Sequence, residues 1–254
     1  MSEAVMAKPD YGNWVSTQVI LVPAAIGFIF MGLATWFPIL FVLAAIPLLG
    51  ALYFAYARYL FSSRGGRVQD LIRGLVLSNL TWNGEGKLLD IGCGNGPLAI
   101  ELAKRCRGAR VVGIDSWGRQ WAYSKTVCEK NAELEGVAER VTFQKAGAAS
   151  LPFEDESFDA VVSNLVFHEV RGVKDKRDLI REALRVVKKG GRFALQDLFL
   201  WKPVYGEPDE LMATIRNWGV SKAELLYTNT SALIPTVLKL PFMVGRMGMI
   251  VGEK

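Results

Sequence analysis

Histidine and cysteine are scarce in this chain of 254 residues, which has one histidine, His168, and three cysteines. The cysteines, Cys93, Cys106 and Cys128, are odd in number and lack the close, paired spacing of a zinc site. We therefore expect neither a metal centre nor a disulfide framework, and the free thiols indicate a reducing compartment. The net charge is only +5, and no basic arm typical of nucleic-acid binding occurs, so we expect no nucleic-acid partner.

Charged residues are absent from residues 11–57, a run of 47 residues. A helix needs about 20 apolar residues to cross the hydrocarbon core of a bilayer, so this run has room for two such helices. We predict them at about residues 15–35 and 37–59, with the break at Pro38, because proline disfavours helical geometry in the residue before it. A signal peptide would have a much shorter apolar core, of about 7–15 residues. A hairpin that dips into the bilayer without crossing it remains an alternative.

Basic residues flank the uncharged run on both sides. Lys8 precedes it, and four arginines follow it with only Asp70 opposing them: Arg58, Arg64, Arg67 and Arg73. Because basic flanks stay on the cytoplasmic side of a membrane, both ends of the hairpin should face inward. Residues 1–61 are therefore predicted to form a hairpin in the cell (inner) membrane. The lipid bilayer is its expected partner, and the N-terminus and the rest of the chain should be cytoplasmic.

Residues 62–254 have the composition of a globular domain in which strand-like apolar runs alternate with helical patterns. The predicted strands are residues 87–91, 110–114, 141–145, 158–163 and 192–197. The predicted helices are residues 68–79, 97–107, 120–135, 174–188 and 209–217. Two tail segments, 223–228 and 246–254, are expected to pair antiparallel at the sheet edge. The alternation predicts an α/β, Rossmann-like doubly wound sheet that is mostly parallel, with an antiparallel edge.

A glycine-rich loop follows the first predicted strand, in the sequence LLDIGCGNGP. Gly92, Gly94 and Gly96 let the backbone approach a ligand closely, and Pro97 suits the first turn of a helix. A dinucleotide fingerprint has a different spacing, G-x-G-x-x-G, and Asp90 before the glycines would repel a pyrophosphate. The loop therefore favours a cationic ligand, and a nicotinamide-dependent oxidoreductase is the less favoured alternative.

Four segments of the chain resemble the motifs of class I S-adenosylmethionine-dependent methyltransferases of the generic methyltransferase-11/25-like type. LLDIGCGNGPLAIELA resembles motif I. It is followed by VVGIDSW, LPFEDESFDAVVSN and LIREALRVVKKGGRFALQDLF, in the order and spacing of that family. The resemblance covers residues 64–254, about three quarters of the chain. It implies the fold of the family, methyl-transfer activity and S-adenosylmethionine as the cofactor.

The same resemblance implies which residues contact the cofactor. Asp115, 19 residues after Gly96, would accept hydrogen bonds from the ribose hydroxyls. Where the family often has an acidic residue that bonds the adenine, this chain has Gly147, which keeps a non-catalytic cofactor-binding protein as an alternative. The full implied set is Asp90, Gly92, Cys93, Gly94, Asn95, Gly96, Asp115, Ser116, Trp117, Gly147, Ala148 and Asn164.

The segment SNLVFHEV after the fourth strand bears on the methyl acceptor. It lacks the N-P-P-Y type loop of enzymes that methylate planar nitrogens. The ordinary histidine pKa of about 6.5 suits proton removal, so His168 and Asp197 are candidate catalytic residues, with a packing role as the alternative. In the arrangement of the family, helix 68–79 roofs the acceptor pocket, and here it directly follows the hairpin. We therefore expect a lipophilic or membrane-surface acceptor: a lipid headgroup, a quinone-type hydroxyl or a thiol.

Overall fold

The computed structural model describes residues 8–118 and 123–254, which form two compact units. The hydrophobic unit is Asn13–Leu71. The α/β unit is Ile72–Lys254 together with the segment that ends at Gly12. The hydrophobic unit contains helices alone, whereas the α/β unit contains a sheet together with helices.

The hydrophobic unit is a pair of packed helices, α1 (Gln18–Leu33) and α2 (Leu40–Phe61). They approach closely at Gly27, where an added Cβ would lie 2.5 Å from Cγ of Leu48. Pro38 lies in the turn between them, as predicted. The helices have 16 and 22 residues, lengths of about 24 and 33 Å at about 1.5 Å per residue.

Within the described residues, α2 is long and apolar enough to cross a bilayer, whereas α1 is apolar but shorter. The large apolar side chains of α2 point mainly outward, and Ile46 is 71% exposed. α1 falls below the length of about 20 residues that a crossing helix needs, because turns occupy the residues next to Pro38. A hairpin with two membrane-spanning helices therefore stays a prediction.

The α/β unit contains a seven-stranded sheet in the order β3-β2-β1-β4-β5-β7-β6. The strands are β1 (Gly86–Ile91), β2 (Ala109–Asp115), β3 (Val141–Lys145), β4 (Phe158–Asn164), β5 (Val187–Asp197), β6 (Lys222–Leu226) and β7 (Gly248–Glu253). Strands β1 to β5 pair in parallel, and β7 pairs antiparallel with both β5 and β6. The mostly parallel sheet with an antiparallel edge is confirmed.

Helices cover both faces of this sheet, as the alternation predicts. They are α3 (Val68–Asn79), α4 (Pro97–Arg105), α5 (Lys125–Leu134), α6 (Arg177–Arg185), α7 (Lys202–Tyr205) and α8 (Pro208–Arg216). Alternate strand residues point to opposite faces, so Leu89 joins the core under α6 and α8, while Leu88 joins the core under α4 and α5. The short helix α7 is not anticipated by the sequence pattern.

The boundary between α6 and β5 differs from the prediction of a helix over 174–188. α6 ends at Arg185, and β5 begins at Val187 rather than at residue 192. The pairing of β4 with β5 contains a register shift, which accommodates the extra residues. Gly190 supports this early start, because its φ is +74° and its amide donates to the carbonyl of Lys254 at 2.6 Å.

Helix α5 also begins later than predicted, at Lys125, where Ser124 accepts a capping hydrogen bond from the amide of Val127. The predicted start at residue 120 lies outside the described residues. α4 ends two residues before its predicted end, at Arg105. These differences leave the sheet order unchanged.

The sheet order places a crevice at the carboxyl ends of β1 and β4. Ile91, at the end of β1, pairs with Ile114 of β2 and with Ser163 of β4. The connections from β1 and β4 leave on opposite faces, which opens the edge of the sheet between them. Ligands of open α/β sheets bind at such a switch point.

Candidate active site

The loop after β1 has a backbone that requires glycine. Gly92, Gly94 and Gly96 have φ values of +73°, +58° and +84°. A Cβ on Gly92 would lie 2.2 Å from Cγ2 of Val166. The segment after β4 therefore packs directly against the glycine loop, and this contact brings the element that carries His168 to the loop.

The amide groups of the loop are already engaged within the protein. The amides of Gly92 and Cys93 donate to the carbonyl of Ile114 at 2.7 and 2.9 Å. The amide of Gly94 donates to Oδ2 of Asp115 at 3.0 Å. A dinucleotide pyrophosphate needs several unpaired amides that point at it. These three amides are not available to a pyrophosphate, so the loop is poorly suited to an anion.

Asp90 lies beneath the loop and is 1% exposed. Its Oδ2 accepts a hydrogen bond from the amide of Ala99, in the first turn of α4, at 3.1 Å. Burial, with a smaller contribution from nearby Asp115, raises the pKa of Asp90 to about 7 against the lowering effects of the Ala99 amide and Arg73. Two neighbouring carboxyl groups make the site favourable for a cationic ligand.

Asp115 ends β2 and organises the loop that follows it. Its Oδ1 accepts from the amide of Trp117 at 2.8 Å, and the indole Nε1 of Trp117 donates to the carbonyl of Gly94 at 2.9 Å. Burial raises the pKa of Asp115, although the amides of Trp117, Gly94 and Ser116 oppose this effect. Each carboxylate oxygen has two acceptor positions, so Asp115 retains capacity for two hydroxyl donors.

Asn95 is buried and hydrogen-bonds to two segments that are distant from it in the sequence. Its Nδ2 donates to the carbonyl of Asp10 at 3.1 Å, and its Oδ1 accepts from the amide of Ser124. Asn131 of α5 binds the same segment, because its Nδ2 donates to Asp10 O at 2.8 Å and its Oδ1 accepts from Asp10 N at 2.9 Å. Sequence reasoning missed Asp10 and Asn131. The sequence signal that could have identified Asn131 is that it is the single asparagine on the apolar face of α5, the face that also carries Cys128.

The remaining predicted cofactor residues have mixed positions. Cys93 is buried, and burial raises the pKa of its thiol. Ala148 packs in the core, whereas Gly147 is exposed with open space where a Cβ would stand. Asn164 accepts a hydrogen bond at Oδ1 from Nε2 of Gln196 at 2.8 Å. The open space at Gly147 has room for a planar ring. Cys93 and Ala148 instead pack in the hydrophobic core beneath the loops that contain them.

The two predicted catalytic residues lie together at the carboxyl edge of β5. Nδ1 of His168 is 2.8 Å from Oδ1 of Asp197. Asp197 is fully buried and also accepts from the amides of Phe167 and Leu198 at 2.7 and 2.6 Å and from the hydroxyl of Tyr205 at 3.1 Å. Asp197 therefore orients the imidazole and has no surface of its own to offer a substrate.

The charge state of His168 differs from the expectation of an ordinary histidine pKa. Burial acts to lower its pKa, but the Asp197 carboxylate and, more weakly, Glu169 raise the pKa to about 10. Asp197 correspondingly has a lowered pKa despite its burial. The imidazole is thus charged at neutral pH. Its Nε2 lies 3.5 Å from Oε1 of Glu169, a partly exposed residue, so Glu169 is the partner of this nitrogen in the structure.

Residues 89–195 match the family described as "Methyltransferase domain". A 27-O-demethylrifamycin SV methyltransferase of Amycolatopsis mediterranei is 39% identical over 114 residues, 45% of this chain and 39% of that protein. A ubiquinone/menaquinone biosynthesis C-methyltransferase of Bartonella tribocorum is 37% identical over 108 residues, 42% of this chain and 39% of that protein. The chain thus spans less than half the length of these curated relatives.

Solved structures show the same fold. Geranyl diphosphate C-methyltransferase from Streptomyces coelicolor, in complex with S-adenosyl-L-homocysteine, aligns with a TM-score of 0.57 at 16% identity, over 75% of this chain and 81% of that chain. The [4+2]-cyclase SpnF aligns with a TM-score of 0.53 at 21% identity, over 73% and 80% of the two chains. One fold therefore carries different chemistry, and function has to be argued from the site.

The sheet order, the glycine loop and Asp115 have the arrangement that the resemblance to class I S-adenosylmethionine-dependent methyltransferases implies. Residues 89–195, less than half of the chain, match the methyltransferase-domain family, and this match supports S-adenosylmethionine as the cofactor.

Proposed function

We propose that this protein is a membrane-anchored methyltransferase that transfers a methyl group from S-adenosylmethionine to a lipophilic small molecule with an acidic hydroxyl. The observation that carries the proposal is the meeting of the glycine loop and the His168–Asp197 pair at one edge of the sheet, through the contact of Gly92 with Val166.

The residues present fit this cofactor better than a dinucleotide. When bound, S-adenosylmethionine supplies a methyl group that is activated by a positively charged sulfur. Asp90 favours that positive charge, and Asp115 offers two acceptor positions to the ribose hydroxyls. The engaged amides of Gly92, Cys93 and Gly94 disfavour the pyrophosphate of a nicotinamide cofactor.

The charged imidazole of His168 narrows the class of acceptor. An oxygen with developing negative charge would replace Glu169 as the acceptor of a hydrogen bond from Nε2, whereas a protonated amine on a lipid headgroup has no lone pair with which to accept it. His168 therefore orients and stabilises a phenolate- or enolate-type acceptor rather than acting as a general base. Asp197 is a positioning residue that holds the imidazole in its charged form.

The lipophilic character of the acceptor is inferred from the hydrophobic unit. α2 has the length and composition of a membrane helix, and its apolar side chains are largely exposed. Relatives named as ubiquinone/menaquinone biosynthesis C-methyltransferases, 37% identical over a limited segment, support a quinone-type ring as the acceptor class. A cell-membrane location with the α/β unit in the cytoplasm follows from the basic flanks.

The test uses the full chain in lipid nanodiscs. Calorimetry measures binding of S-adenosylmethionine and of NADH, and methyl transfer is then followed with isotopically labelled donor. The acceptors offered are a long-chain demethylated quinol, a phosphatidylethanolamine and an alkyl thiol. We expect donor binding without NADH binding, and label in the quinol alone. Asp115→Asn should weaken donor binding, while Lys130→Gln, an exposed change on α5, serves as the matched control.

Each other outcome overturns a definite part of the proposal. NADH binding without donor binding would make the protein an oxidoreductase. Donor binding without transfer to any acceptor would favour a cofactor-binding scaffold, the alternative suggested by Gly147. Transfer to the amine lipid would contradict the role assigned to His168.

A further inference from the structure

The connection between β6 and β7, residues 227–247, carries most of the exposed large hydrophobic side chains among the described residues of the α/β unit. Among the described residues of that unit, five large hydrophobic side chains are exposed, and four of them belong to this connection: Tyr227, Leu233, Leu240 and Phe242. Phe242 is 64% exposed and Leu233 is 53% exposed. The fifth, Leu134, lies on α5. Such a concentration marks an interaction surface.

The connection is folded, so its apolar side chains are not exposed merely because the segment lacks a defined structure. Ile234, Leu238 and Val244 are buried within it. The ammonium of Lys239 donates to the carbonyl of Ser231 at 2.8 Å, and Nδ2 of Asn229 donates to the carbonyl of Gly245 at 2.8 Å. The loop therefore holds one set of apolar side chains inside and presents another set outward.

The strand register places this loop at the edge of the sheet that carries the active site. Gly248, the first residue of β7, pairs with Asp197, the last residue of β5. Leu226, the last residue of β6, pairs with Met249 beside it. Both ends of the loop thus lie at the carboxyl edge of β5, next to the residue that orients His168.

Two contacts join the loop to the segment that follows Asp197. The amide of Leu200 donates to the carbonyl of Arg246 at 3.0 Å. The guanidinium of Arg246 lies over the ring of Trp201 at 5.5 Å from its centroid. The loop and the segment that contains Leu200 and Trp201 therefore form one connected structure.

The charge of the loop identifies the kind of partner. No acidic residue occurs between Glu224 and Glu253, whereas Lys239 and Arg246 lie within that interval. Exposed aromatic and aliphatic side chains with basic neighbours match the interface of an anionic bilayer. We propose that residues 227–247 dock the active-site edge of the α/β unit onto the bilayer surface. The inference deepens the proposed function, because docking would let an acceptor enter from the lipid without crossing water.

The experiment uses the full chain in nanodiscs of phosphatidylcholine and phosphatidylglycerol that contain a lipid with a photoreactive acyl chain. Labelled peptides are identified by mass spectrometry. We expect label in peptides from residues 227–247 as well as in the hydrophobic unit, and none around Leu134. The double substitution Leu240→Ser and Phe242→Ser should lower loop labelling about tenfold or more, because two apolar side chains no longer favour burial in the bilayer. Leu134→Ser is the matched control.

Labelling confined to the hydrophobic unit would overturn the inference, and so would equal labelling of the loop and the Leu134 region. If the double variant instead turns a dimer into a monomer in sedimentation, with no lipid label in the wild-type loop, the surface binds a second copy of the chain. Labelling does not require methyl transfer. Normal loop labelling without turnover would therefore refute the proposed function alone, and normal turnover without loop labelling would refute docking alone.

Discussion

Replacing Asp197 with Asn should lower the pKa of His168 from about 10 toward its ordinary value of 6.5. In the wild-type protein the carboxylates of Asp197 and Glu169 together overcome the effect of burial, and in the variant only the weaker effect of Glu169 opposes burial. A full return to 6.5 would correspond to about 5 kcal/mol of interaction between His168 and Asp197, at about 1.36 kcal/mol for each pKa unit. The imidazole of the variant would then be neutral at pH 7.

The single histidine makes this measurement direct, because carbon-13-labelled histidine gives one imidazole signal in the NMR spectrum of the full chain. Tyr205→Phe is the matched control. It removes a hydrogen bond of 3.1 Å to Asp197 but keeps the carboxylate, so the pKa of His168 should rise slightly. A wild-type midpoint at or below 6.5, or an unchanged midpoint in Asp197→Asn, would refute the reasoning.

The sign of the stability effect follows from the raised pKa. A histidine with a higher pKa in the folded protein stabilises the fold fully below about pH 6.5. That stabilisation is lost as the pH rises through about 10. Thermal unfolding of the wild-type protein between pH 7 and pH 10.5 should therefore show a decline that is absent from Asp197→Asn.

Three further changes test the glycine loop and its carboxylates. Gly92→Ala should destabilise the fold by more than the ~1–2 kcal/mol that a left-handed backbone conformation costs a non-glycine residue, because the new Cβ meets Val166. Gly147→Ala is the control, and it should leave the melting temperature unchanged because the space around Gly147 is open. Asp115→Asn should weaken donor binding by about a hundredfold in calorimetry, since two hydrogen bonds to a charged group contribute about 1.5 kcal/mol or more each; equal affinity would show that Asp115 does not hold the ribose. Asp90 has a folded pKa raised to about 7 from 3.8, so its burial makes the fold less stable as the pH rises between these values. Asp90→Asn should therefore raise stability at pH 8 by up to about 4 kcal/mol while weakening donor binding, and a variant that melts below wild type at pH 8 would contradict this.

The strands and their mostly parallel pairing could be predicted, because each strand is marked by a local apolar pattern. Five apolar runs separated by helical segments imply parallel pairing, and Pro38 marks a turn through its own geometry. The early start of β5 could not be predicted in the same way. It depends on the contact between Gly190 and Lys254, which are far apart in the sequence.

The residues of the candidate site could be predicted from the sequence, but most of the interactions among them could not. His168 and Asp197 were both expected at the carboxyl edge, but a sequence pattern contains no information on the 2.8 Å contact that charges the imidazole. The capping of α4 by Asp90 and the engagement of the loop amides likewise require the folded backbone. These contacts turn a glycine-rich loop into a site that disfavours anions.

The binding of Asp10 by Asn95 and Asn131 has a practical consequence for protein production. The usual way to obtain a soluble form of a protein with an N-terminal hydrophobic segment is to delete everything up to the end of that segment. Here that deletion would also remove Asp10, and two buried asparagines beside the glycine loop would lose their hydrogen-bond partner. A soluble version should instead keep residues 8–12 and join them to α3 by a short polar linker in place of the hairpin.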